Sequence, residues 1–79
     1  MARDQRTYLR RKRIALNIEK AIADSGKPVW KIAQDARLHY NTVCNWMYGN
    51  SVPSAIGLAI LAETLGVTAD ELLKGVTGG

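Results

Sequence analysis

The chain has one cysteine, Cys44, and one histidine, His39. A single thiol excludes an intramolecular disulfide and a multi-cysteine zinc site, and one imidazole cannot complete a metal shell with it. Stability must come from packing. No apolar run approaches the length of a membrane span, because the apolar residues are dispersed at short intervals. The N-terminus is charged and polar through Arg13 with no apolar segment behind it, unlike a secretory signal peptide, so the cytosol is the expected compartment. Strict alternation over strand length, internal repeats and a glycine-rich phosphate loop are also missing. The acids Asp4, Glu19, Asp24, Asp35, Glu63, Asp70 and Glu71 are scattered, and no Ser/His/Asp set converges. Catalysis is therefore not expected, nor is a cofactor or a metal.

What is present is positive charge, unevenly placed. Six of the eleven basic residues, Arg3, Arg6, Arg10, Arg11, Lys12 and Arg13, lie in the first thirteen positions against one acid, Asp4. That segment is net +5 and the rest of the chain net −1, for +4 overall. Such a distribution suits a polyanion approaching one face, and it equally suits a solvated tail.

The 79 residues allow one compact domain. Helical spacing starts near Thr7 and shows in Ile14, Ile18 and Ile22, with Ala15 and Ala21 beside them, and should end at Ser25-Gly26. Pro28 opens a short second helix over Val29 to Ala36. After Arg37-Leu38-His39 a third runs from Tyr40 to Met47, burying Val43 and Trp46, and Gly49-Asn50 stops it. Ser54 caps a fourth, apolar helix over Ala55 to Leu65, ended by Gly66. Thr68-Ala69-Asp70-Glu71 has capping-box spacing and starts a last helix through Lys74. The expected fold class is all-α, a compact five-helix bundle.

Only three residues separate the second and third helices, which presents the third as a ridge that fits a B-form major groove. From Gly26 to Leu73 the order of residues resembles the lambda-repressor-like (Cro/repressor, XRE-type) helix-turn-helix family. The matching landmarks are Ile32-Ala33, Leu38, Thr42-Val43, Trp46, Gly49, Pro53, Leu58, Leu61-Ala62, Leu65-Gly66-Val67 and Leu72. The first helix also fits, so about four fifths of the chain is covered. The resemblance implies a phage or bacterial transcriptional regulator of repressor type, in the bacterial cytosol or a phage-infected cell. It divides the chain into a basic arm and start of the first helix (1–13), a DNA-binding domain (14–74) and a flexible glycine-rich tail (75–79). Two positions depart from the family pattern. Arg37 stands where the family usually has glycine, which would cost about 1 kcal/mol or more at positive φ and leaves the shape of the turn open. Pro28-Val29 replace the Ser-Gln pair that braces a phosphate, so that clamp is absent.

Carried over by position, the base-reading sites are Tyr40, Asn41, Cys44 and Asn45. Asparagine suits the task, since its amide pairs with N6 and N7 of adenine; the plainer reading is a polar helix surface. Phosphate contacts map onto Lys27, Lys31, Thr42, Tyr48 and Asn50, with Arg10, Arg11, Lys12 and Arg13 adding to them, or the arm from Arg3 to Arg13 lies in the minor groove. Trp30, Ile56 and Ile60 are apolar where the family is usually polar. They imply a partner surface, either a homodimer reading a palindrome or a second protein, as for an antitoxin or anti-repressor. Alternatively, Tyr8 and Leu9 fold back over Ile56 and Ile60.

Overall fold

The computed structural model describes residues 5–76, with side chains from Tyr8 onward. Of the expected basic arm at 1–13, residues 1–4 and the side chain of Arg6 lie outside the described residues, as do residues 77–79 of the expected tail at 75–79. Five helices follow in order: α1 (Gln5–Ser25), α2 (Val29–Ala36), α3 (Tyr40–Tyr48), α4 (Ala55–Leu65) and α5 (Ala69–Leu72). Among the described residues there is no strand, and no helix is long and apolar enough to cross a membrane.

The isoleucine stripe of α1 forms one wall of the core. Ile18 and Ile22 are buried with Ile32 and Ala33 of α2, Val43 and Trp46 of α3, Leu58 and Leu61 of α4 and Leu72 of α5. Each fully buried isoleucine or leucine stabilises by about 1.5–3 kcal/mol through removal of apolar surface from water. No buried side-chain polar atom among the described residues lacks a hydrogen-bond partner. The molecule measures 41 × 23 × 21 Å. The long axis reflects α1, which at 1.5 Å per residue spans about 31 Å and whose described side chains from Tyr8 to Arg13 add nothing to the buried core.

The two helices capped by side chains begin where their caps predict. The Gly57 N–H donates to Ser54 Oγ (3.0 Å) and the Glu71 N–H to Thr68 Oγ1 (3.2 Å). The return bond of a capping box, from the Thr68 N–H to Glu71, is not formed. Three boundaries differ from the sequence reading. α1 begins at Gln5, before Thr7, and α3 extends to Tyr48 because its stop lies in Gly49, which takes the left-handed conformation (φ 78°). α5 ends at Leu72 because Asn17 Nδ2, reaching from α1, donates to the Leu72 and Lys74 carbonyls at 2.9 Å each. The chain then turns, with the Val76 N–H on the Leu73 carbonyl (3.0 Å), and Val76 packs against the core. The packed chain thus runs beyond Lys74, where the tail was expected to begin.

Where α3 meets α4, the Trp46 ring lies against the α4 backbone. A Cβ on Gly57 would stand 2.9 Å from Trp46 Cη2 and 3.2 Å from Cζ2. Helix propensity alone favours Gly57→Ala by about 1 kcal/mol. Overpacking a rigid buried ring costs about 1–3 kcal/mol and should win. Urea unfolding of Gly57→Ala is expected to show a net loss of up to about 2 kcal/mol; a raised midpoint would mean that the indole can move aside.

Candidate nucleic-acid interface

The turn between α2 and α3 holds the first departure from expectation. Arg37 occupies the left-handed region (φ 59°, ψ 39°), where a side chain is disfavoured. It is held there by two backbone bonds. The Arg37 N–H donates to the Gln34 carbonyl (3.1 Å) and the Leu38 N–H to the Ala33 carbonyl (2.9 Å). This is the Schellman arrangement that also ends α3 and α4, where glycine fills the left-handed position. The turn therefore keeps a glycine-like backbone despite the arginine. Leu38, half-buried against the core, completes the hydrophobic contact of the motif.

With Val43 and Trp46 buried, the opposite side of α3 faces solvent. Tyr40, Cys44 and Tyr48 follow one another at four-residue intervals, and Asn41 and Asn45 form a parallel row beside them. Both asparagines and both tyrosines are exposed, whereas Cys44 is half-buried. Thr42 is half-buried on the flank, one turn before Trp46. The adjacent Cys44 side chain, chiefly as a hydrogen-bonding neighbour, raises the Tyr40 phenol above its ordinary range. Asn50 Nδ2 lies 3.5 Å from Asn45 Oδ1, too long to hold the amide firmly.

The N-termini of α2 and α3 differ from those of α4 and α5. Pro28 and His39 precede them without a side-chain cap, and neither first turn contains an acid. Their opening amides and positive dipole ends are unscreened, an arrangement that favours anions.

The cations are not gathered on one surface. Consecutive helical residues diverge by 100°, so Arg10 to Arg13 fan around α1. The guanidinium of Arg11 donates to the Gly49 and Asn50 carbonyls (3.1 Å each), joining α1 to the loop after α3. Arg13 points elsewhere, across Gly75. Because Gln5 onward is helical, this stretch is too wide for the roughly 6 Å minor groove, which an extended arm could enter. Lys27 and Lys31 both approach Asp35. On the apolar side, Trp30 is 59 % exposed and Ile56 75 % exposed, while Ile60 is half-buried. Tyr8 and Leu9 remain exposed on α1, so they do not fold back to cover Ile56.

Sequence reasoning did not single out Asn17, the Arg11 tether, Gly57 or the pairing of Asp35. The four-residue interval from Lys31 to Asp35 was the one visible signal among them. Among the described residues, no three His, Cys, Asp or Glu side chains group as a metal site would require. Comparison with protein-family models, with curated proteins and with solved structures finds no match for this chain.

Arg37→Gly removes about 1–2 kcal/mol of left-handed strain and adds up to about 1 kcal/mol of unfolded-state freedom. The substitution is expected to raise stability by about 0.5–1 kcal/mol in thermal unfolding. A lower melting temperature would show that the Arg37 side chain makes a compensating contact.

Proposed function

We propose that this chain is a sequence-specific double-stranded DNA-binding protein of the lambda-repressor-like helix-turn-helix type. In this reading it is a phage or bacterial transcriptional regulator, repressor in kind, with α3 in the major groove. The observation that carries the proposal is the outward row of Asn41 and Asn45 on a helix whose other side is anchored by Val43 and Trp46. Two exposed amides one turn apart suit bidentate pairing with adenines, with Tyr40 and Cys44 alongside for further base-edge contact. The uncapped starts of α2 and α3, with Lys27, Lys31, Thr42, Tyr48 and Asn50, would hold phosphates and set register. Arg10, Arg11, Lys12 and Arg13 would add attraction from α1. The role is binding, with no cofactor and no catalytic step.

Selection from a random duplex library tests this directly, by sequencing the bound pool. An enriched site is the expected result. On that site Asn45→Ala should weaken binding by about 1–3 kcal/mol, with little change on random DNA. Equal losses on both would remove Asn45 from base reading.

Exposed Ile56 favours a homodimer through α4, which would read a palindrome with half-sites roughly 34 Å apart. Sedimentation of Ile56→Asp should give a smaller mass than the unsubstituted chain, and the same mass for both would count against this interface. Exposed Trp30 and Ile56 also favour a second reading, a protein-binding module of antitoxin or anti-repressor kind. Salt separates the two. Phosphate-driven binding falls by about 0.9 log units per contact for each log unit of salt, and apolar protein binding responds little.

A further inference from the structure

Lys27 and Lys31 share one anion within the protein. Lys27 Nζ lies 3.8 Å from Asp35 Oδ2, and Lys31 Nζ lies 3.4 Å from Asp35 Oδ1, so each carboxylate oxygen faces its own ammonium. Neither contact has the short geometry of a charge-assisted hydrogen bond, in contrast to Lys20–Asp24 at 2.8 Å. All three side chains keep a third to a half of their surface in solvent, so these are weak, screened pairs that a competing anion can open. Asp35 also stands in the last turn of α2, at the negative end of the helix dipole, with no basic residue in that turn. The dipole disfavours a carboxylate there, and the four-residue pairing with Lys31 offsets that effect without exceeding it, so little net helix stability comes from Asp35.

We propose that Asp35 is a specificity-determining residue that acts by competing with phosphate for Lys27 and Lys31. The inference rests on the reading that this chain binds duplex DNA. With the carboxylate between them, the two lysines present a net charge of one rather than two to a passing duplex. Attraction to DNA of any sequence is held down. When α3 docks on a matching site, the phosphates are brought close and held there, and they displace the carboxylate. The lysines then contribute fully in the specific complex and little in chance encounters, which widens the ratio between the two. Tyr40, Asn41, Cys44 and Asn45 still select the bases; Asp35 sets the background against which they select.

Fluorescence anisotropy with a labelled duplex of random sequence, at several salt concentrations, tests the idea. Asp35→Asn should tighten random-duplex binding about fivefold at low salt and steepen the dependence of log K on log salt by up to about one unit. Asp24→Asn removes the same charge beside Lys20 and should change binding by less than about twofold. In a Lys27→Gln/Lys31→Gln background, Asp35→Asn should lose its effect. Circular dichroism checks that each variant keeps its helices. Equal tightening by Asp35→Asn and Asp24→Asn, or tightening that persists without the two lysines, would overturn the competitor role while leaving DNA binding intact. Failure of the unsubstituted chain and Asp35→Asn alike to bind any duplex would overturn the DNA reading, and this proposal with it.

Discussion

Trp46 lies with its ring edge against the backbone of α4 at Gly57, closer than a Cβ at that position would permit, and this contact sets the rotation of α3 about its own axis. A large planar side chain lodged against main chain has few ways to turn. With Val43 buried on the same side, the opposite row has no freedom to face inward. The outward placement of Asn41 and Asn45 therefore follows from packing on the far side of the helix rather than from any interaction the asparagines make themselves. A row built this way is fixed in its backbone position before any ligand arrives, while its amides keep their freedom to turn.

Electrostatics modifies what that scaffold presents. Several cations already have partners inside the protein: Arg11 with the carbonyls after α3, Lys27 and Lys31 with Asp35, and Lys20 with Asp24. The formal charge of +4 already counts Asp24 and Asp35, and what the pairings lower is the number of the eleven cations that stand free for a polyanion. Arg11 has a second effect. Carbonyls at the end of a helix carry partial negative charge, and a guanidinium between two of them steadies the α3 exit near Asn50.

Local chemistry was legible in the sequence wherever one residue type decides the backbone. Pro28 and Ser54 mark the starts of α2 and α4, Gly66 marks the end of α4, and those boundaries agree with the structure. The isoleucine stripe of α1, with Val43 and Trp46 of α3, was recognisable as core from helical spacing. The shape of the turn at Arg37 was not legible, since residue preference points away from left-handed geometry and only the two Schellman bonds hold it there. Asn17 bonding to Leu72 and Lys74, and Arg11 to Gly49 and Asn50, join residues far apart in sequence. No local periodicity encodes such a meeting. The rows on α3 followed from helical spacing once Val43 and Trp46 were assigned inward, whereas the exposure of Ile56 beside a half-buried Ile60 depended on how α4 sits on its neighbours.

The Asn17 bridge has a consequence for how the chain is made. Leu72 and Lys74 are 55 and 57 positions beyond Asn17, and α1 takes part of its packing from α5. As the polypeptide leaves the ribosome, α1 emerges before its partners, and its isoleucine stripe is covered in steps as α3, α4 and finally α5 follow. The last tertiary bonds of the first helix form only when Lys74 is free. This topology ties completion of the fold to the end of the domain's synthesis and leaves the nascent segment dependent on its charged turns to stay dispersed in the interval.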